Sequence, residues 1–210
     1  MSKQLLMGQE ILVAPRMRGG YNNGVPFVQD EENDVQLDPT LFSDKVSIYE
    51  REVTGWFLNP AKSLVENDSF NNAFLVIMVC MSYIEGVEQY KTGQSSNRNS
   101  SAFFFSSMNK IYPNQYSNDE LSNLYNKTRC GLFHNGMIKS GVIFSNEFDR
   151  SLLFDDNGGK IFINQEKLLN DLIQDFSSYI ELLKSDVNSE DVQRLKSNFD
   201  TMFTILPTED

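Results

Sequence analysis

The chain is poor in the residues that build the commonest active sites. Its 210 residues hold one histidine, two cysteines, one tryptophan and six prolines. One histidine excludes a two-histidine acid/base pair within a single chain. Together with two cysteines it also excludes a zinc site of the usual His/Cys type, and no metal or other cofactor is expected. Cys80 and Cys130 both sit in apolar, helix-like runs. Two isolated thiols make no disulfide framework, so a reducing cytosol fits best and a cytoplasmic protein is expected. Met1 to Gly20 lacks the apolar stretch of a signal peptide or anchor. The longest apolar run, Ala73 to Met81, is too short to span a bilayer and reads as a buried core helix.

Positive charge is also scarce. Eighteen basic against 29 acidic residues give a net charge of −11. Such a balance opposes tracking along extended duplex DNA or an anionic membrane. It is uneven, however. Asp30-Glu31-Glu32-Asn33-Asp34 is an acidic cluster, read as a solvated loop, whereas Ser106 to Ser145 carries Lys110, Lys127, Arg129 and Lys139 against Asp119 and Glu120. A small anionic ligand or a single phosphate suits that locally basic region.

Apolar residues are plentiful at 40%, with sixteen Phe and eight Tyr. That supports one domain with a real core. Trp56 and the Phe103-Phe104-Phe105 cluster read as part of it. Residues 1–42 read as an irregular N-terminal arm, because Arg18-Gly19-Gly20 and Asn22-Asn23-Gly24 break regular structure and Val25-Pro26 favours extended backbone. Short strands near Glu10–Ala14 and Pro26–Gln29 are compatible with it. From Ser43 the period turns helical. Ser43 or Asp44 can cap a helix through Trp56, which Pro60 interrupts. Asp68 or Ser69 can cap a long central helix from Phe70 to about Lys91, ended by Thr92-Gly93. A short aromatic helix follows from Ala102 to Tyr112, and Ser117-Asn118-Asp119-Glu120 reads as a capping segment for the next. Three short strands are expected at Met137–Phe144, Ser151–Phe154 and Lys160–Asn164, the last two joined by a hairpin turn over Asp155–Gly159. Two amphipathic helices close the chain. The class is therefore mainly α, an up-and-down helical bundle over residues 43–210 with a small β-hairpin insert at about 137–164.

The lone histidine lies in Lys127-Thr128-Arg129-Cys130-Gly131-Leu132-Phe133-His134-Asn135. Arg grips two phosphate oxygens at once, and His exchanges a proton near neutral pH. RNA cleavage needs a 2′-hydroxyl deprotonated, a phosphorane stabilised and a leaving oxygen protonated, and Arg with His can supply these without metal. One histidine per chain leaves one proton transfer unassigned, which a symmetric dimer would resolve. On an ideal helix Arg129 and His134 stand about 140° apart, so either the arginine reaches around or Gly131 permits a distortion. Cys130 and His134 share a face at i, i+4, but Cys130 lies in an apolar run and no third orienting group argues for a nucleophilic dyad. Glu85 and Glu88 follow the most apolar part of the central helix. A buried acid needs a partner, for which Arg129 is a candidate, and Glu88 in particular reads as an exposed helix-end residue.

At Arg129-Cys130-Gly131-Leu132-Phe133-His134 the chain resembles the HEPN superfamily of helical domains, marked by an Arg-x4-His motif. The likeness extends over about Ser43 to Ser185. It takes in Met81-Ser82-Tyr83-Ile84-Glu85-Gly86-Val87-Glu88, Tyr90, Gly93, the Phe103–Phe105 run, the Leu124-Tyr125 lead-in and the β-hairpin before the last core helix. The resemblance implies a HEPN-like bundle that forms a homodimer with its Arg–His motifs facing each other. Many members are metal-independent endoribonucleases of toxin, phage-defence or RNA-processing systems. Arg129 would then bind phosphate and His134 act as acid and base, with Lys127, Asn135 and Lys139 as neighbouring phosphate or nucleic-acid contacts and Glu85 orienting the arginine. Cys130 stands where active members often carry Asn, Asp or another polar residue. The alternative is a non-catalytic HEPN-like module binding a nucleotide, RNA or a partner protein.

Overall fold

The stretch Ala73–Thr92 carries almost no polar residue in its first half, and a helix apolar all round must be surrounded to be stable. The computed structural model describes residues 10–155 and 159–203, apart from the Asn135 side chain. In it this stretch is a 20-residue helix, α3, with Val76, Ile77, Cys80, Met81 and Ile84 fully buried, but it is not surrounded throughout, since Phe74 and Leu75 on its first turn face outward. It begins at Ala73 and not at Phe70, because the Asp68 carboxylate accepts the Asn71 N–H and side-chain amide and holds a turn there. Gly93 ends it in the left-handed region, its N–H returned to the Gln89 carbonyl. Among the described residues α3 is the one helix long and apolar enough to cross a membrane, and half of that window is buried inside the protein.

The remaining helices gather around it. Helix α1 (Phe42–Val53) runs through a π turn at Thr54–Leu58 into α2 (Asn59–Asp68). The Asn59 N–H reaches the Thr54 carbonyl, five residues back, and Pro60 sits in the first turn of α2. The widened ladder tolerates a missing donor at this point, so Pro60 does not interrupt the rod as its residue type alone suggests. Helix α4 (Ser100–Ile111) packs on α3 with Phe104 and Met108 buried. Helix α5 (Asn118–Leu124) starts with a reciprocal Ser117–Glu120 capping box and passes through a second π turn, Tyr125–Arg129, into α6 (Cys130–Asn135). Helices α7 (Gln165–Lys184) and α8 (Glu190–Met202) close the bundle, capped by Asn164 and Ser189. Tyr49 is the hub of the aromatic core, with the rings of Tyr90, Phe176, Phe199 and Phe203 within 6.0 Å. The fold is mainly α with two small sheets.

The N-terminal arm is the largest departure from the sequence reading. Residues 11–37 are not irregular. They form an antiparallel meander of β1 (Ile11–Ala14), β2 (Met17–Asn22), β3 (Val25–Asp30) and β4 (Val35–Leu37). Asn23 and Gly24 both take positive φ, 52° and 78°, so the supposed breaker is a two-residue hairpin turn. Pro26 lies beyond the span of β4, where β3 is itself an edge and needs no further donor. Val13, Ala14, Met17 and Val28 join the common core. The acidic cluster is only partly a solvated loop. Asp30 is buried, accepts the N–H groups of Glu32 and Asn33, and pairs with Arg51 of α1 at 3.3 Å, while Arg51 also meets Glu32.

The insert before α7 is more than a hairpin. Strand β7 (Ile161–Ile163) lies between β6 (Leu152–Phe154), antiparallel, and β5 (Val142–Phe144), parallel. Strand β5 starts at Val142 and not at Met137, since the chain first packs across Gly131 and turns at Gly141, φ 89°. Of the expected hairpin turn, Asp156-Asn157-Gly158 lie outside the described residues. Two further expectations fail. Glu88 is 0% exposed, its Oε1 accepting hydrogen bonds from Ser106 and Lys110 across the α3–α4 contact, because its turn faces the bundle. Trp56 is not core. It stands 43% exposed, as does Phe57, because the π turn rotates both away from the interior.

Gly55 is where the sheet meets the helices. A Cβ there would lie 2.6 Å from the Pro15 ring, which cannot swing away, whereas Gly86 faces open space. Gly55→Ala is expected to destabilise by about 1–3 kcal/mol. Gly86→Ala, in a helix interior, is expected to stabilise by up to about 1 kcal/mol. Urea denaturation of both variants checks the opposite signs.

Candidate functional site

The Arg/His segment is positioned from below by the capping box and from the side by the β-insert. Thr128 is fully buried, its hydroxyl donating to the Leu124 carbonyl at 2.6 Å across the second π turn. Gly131 is pressed against the backbone of the next segment, where a Cβ would meet the Met137 carbonyl oxygen at 2.7 Å. Its smallness therefore serves close approach and not helix distortion. The distortion lies one turn earlier, at Tyr125–Arg129, and the run from Arg129 to His134 stays helical.

Arg129 is the most constrained cation of the region. Its Nη2 and Nε lie 3.0 and 3.1 Å from Glu85 Oε2, and Glu85 Oε1 accepts from the Ser96 hydroxyl. The guanidinium stands over the Phe133 ring at 5.3 Å and the Tyr125 ring at 5.7 Å. Tyr125 is fixed in turn by Ser100 through its hydroxyl and by Phe104 and Phe105 through its ring. The Arg129 side chain is 21% exposed, at the edge of a depression of about 200 Å³ formed with Ser82, Gly86, Gln89 and Phe133. A planar, charge-assisted clamp of this kind holds one arginine orientation at the surface of α3.

The other expected site residues do not converge on that clamp. His134 is exposed and makes no hydrogen bond, ion pair or ring contact among the described residues. It lies on the solvent side while Arg129 turns to α3, as their helical separation requires. Lys127 gives its ammonium to the Gly159 carbonyl at 2.6 Å, tying the helix to the β-insert. Lys139 is exposed, its N–H bonded to the Lys127 carbonyl. Asn135 ends α6, and its side chain lies outside the described atoms. Cys130 is half-buried and makes no hydrogen bond to His134 among the described residues. Sequence reasoning missed Tyr125, Phe133 and Ser96. The first two stand four residues before and after Arg129, a spacing that brings side chains together on a helix and could have found them. Among the described residues no three His, Cys, Asp or Glu side chains converge where a metal ion could sit.

No family model, curated protein or solved structure matches this chain.

Burial raises the pKa of several ionisable groups near this face, the tyrosines Tyr49, Tyr83 and Tyr90 and one carboxylate. Glu52, in the last turn of α1, lies among Tyr49, Trp56 and Tyr90, and burial pushes its carboxyl up from an ordinary 4.5 to about 7. No ion pair or hydrogen bond among the described residues offsets this cost. Because the folded value lies above the unfolded one, the native state holds an extra proton between about pH 4.5 and 7. Stability should therefore fall as pH rises through that window and level off above it. Glu52→Gln removes the ionisation. Its stability relative to the parent is expected to grow with pH across the window, by roughly 2–3 kcal/mol, as thermal melts from about pH 4 to 8 would show.

Proposed function

We propose that the chain is a HEPN-like, metal-independent endoribonuclease that acts as a homodimer through Arg129 and His134. The observation that carries this reading is an Arg129 held in one orientation and, five residues on, an exposed His134 with no partner among the described residues, two groups that do not meet within one chain and that a second copy would bring together. Arg129 would receive the scissile phosphate, its orientation set by Glu85 and by the Tyr125 and Phe133 rings. His134 would take the proton from the 2′-hydroxyl as that oxygen bonds to phosphorus. The P–O5′ bond then breaks, leaving a 2′,3′-cyclic phosphate, and the departing 5′ oxygen takes a proton. The second copy's histidine would supply this proton, which accounts for a site with one histidine per chain. Lys139, whose ammonium has no partner among the described residues, would approach the RNA backbone, whereas Lys127 would act through the β-insert.

A second reading has its own support. Glu85 already neutralises Arg129, the net charge is −11 and Cys130 follows the arginine. These favour a non-catalytic module that binds a nucleotide, RNA or a partner protein through the same clamp.

Purified protein incubated with structured and unstructured RNA in EDTA separates the two. Cleavage giving cyclic-phosphate ends, reduced at least about 100-fold in His134→Ala and in Arg129→Ala, is the expected result. A folded, dimeric wild-type protein that cuts none of these RNAs would overturn the nuclease reading. Ligand-dependent thermal stabilisation that needs Arg129 would then support the binding module.

A further inference from the structure

The first π turn displays two aromatic residues, one of which, Trp56, the sequence pattern assigns to the core. Trp56 and Phe57 each stand 43% exposed, and adjacent exposed rings form an apolar surface of the kind that marks a ligand-binding groove. They are not isolated on the surface. With Tyr49, Tyr83 and Tyr90 they line a pocket of about 360 Å³ between α1 and α3, within the range of small-ligand sites. The pocket has one charged lining residue, Glu52, and no Lys, Arg or His. That carboxylate lies half-buried, with no cation or hydrogen-bond donor reaching it among the described residues.

Aromatic walls and a lone carboxylate select for charge and softness together. The faces of aromatic rings attract cations, best when the cation is weakly hydrated. A carboxylate without a partner adds a full opposite charge, and its burial cost falls when a cation arrives. An inorganic cation would demand several strong oxygen ligands, and Glu52 is the single carboxylate in this lining. An ammonium group covered by alkyl substituents needs none and gains from each ring it touches.

We propose that this pocket binds a small organic cation with an alkylated ammonium head, held by Glu52 and by the rings of Trp56, Phe57 and Tyr90. The pocket meets the Arg129–Glu85 depression at Ser82 and Gly86, which line both. Its occupant would thus lie beside the proposed nuclease site without sharing its charged groups. The assignment does not rest on ribonuclease activity.

Trp56 is the only tryptophan in the chain, so its emission reports on this pocket alone. The probes are choline, benzyltrimethylammonium and the neutral carbon isostere of choline, titrated into the full chain at about pH 8, where Glu52 is ionised. Saturable change of Trp56 emission with the two cations is expected, with the isostere at least about tenfold weaker. Glu52→Gln should bring choline binding down to the level of the isostere, and Phe57→Ala should weaken both cations. Circular dichroism shows whether each variant is folded, and a second carboxylate change, Glu52→Asp, retains charge if Gln perturbs the helix. Equal binding of the isostere and choline would overturn the proposal. So would the absence of a saturable response to either cation at millimolar concentration.

Discussion

Helix α3 has no polar face along its first turns, so the molecule must cover most of it, although Phe74 and Leu75 near its start stay 39% and 53% exposed. That requirement organises the rest. Helices α2, α4, α7 and α8 each bury a stripe against it, and the aromatic hub around Tyr49 closes the gap toward its C-terminal end. The charged residues α3 does carry come late and are all spoken for. Glu85 goes to Arg129, Glu88 to Ser106 and Lys110, and Lys91 to Asp175. Removing a partner from any of these would strand a charge in a poorly solvated setting, which is more costly than never having the pair. The two surface depressions of this face both use α3 as their floor, at Ser82 and Gly86, where its side chains are small.

The parts of this arrangement that are legible in the sequence rest on local physics. The α3 core stretch, the Ser117 capping box and the amphipathic α7 follow from periodicity and end chemistry. The meeting of Glu85 with Arg129 follows from the need of a buried acid for a partner. The illegible parts depend on context. Asn23-Gly24 looks like a break, yet the same pair between two strands is a hairpin turn, and the strands themselves alternate weakly around Gly19-Gly20. Pro60 and Trp56 mislead for a single reason. Neither can be assigned from a regular helical period, because a π turn lies between α1 and α2. Glu88 looks exposed because nothing in one helix reveals that Lys110, on another, reaches over to it.

The candidate site shows the same division. The residue types at Arg129 and His134 carry a chemical meaning by themselves. The groups that hold the arginine, Tyr125 and Phe133, pass for ordinary apolar residues until the guanidinium is seen above them. Lys127 looks like a phosphate contact by charge, but its ammonium closes a helix-to-sheet hydrogen bond. Charge counting gives a neighbourhood its sign and leaves open which charges are available.

The two π turns have a consequence for how this chain can vary. Each is equivalent to one residue inserted into an otherwise α-helical rod. Losing a single residue from Thr54–Leu58 would restore a regular ladder with little change of phase, because five residues in the widened turn cover about the same angle as four at roughly 100° each. The same holds at Tyr125–Arg129, where Arg129 itself belongs to the turn. Length changes of one residue at these two places are therefore expected to leave the flanking helices in place and to act on the residues of the turn, Trp56 and Phe57 in one and Arg129 in the other. The π turns are points where the rod can gain or lose a residue while the surfaces on either side keep their direction.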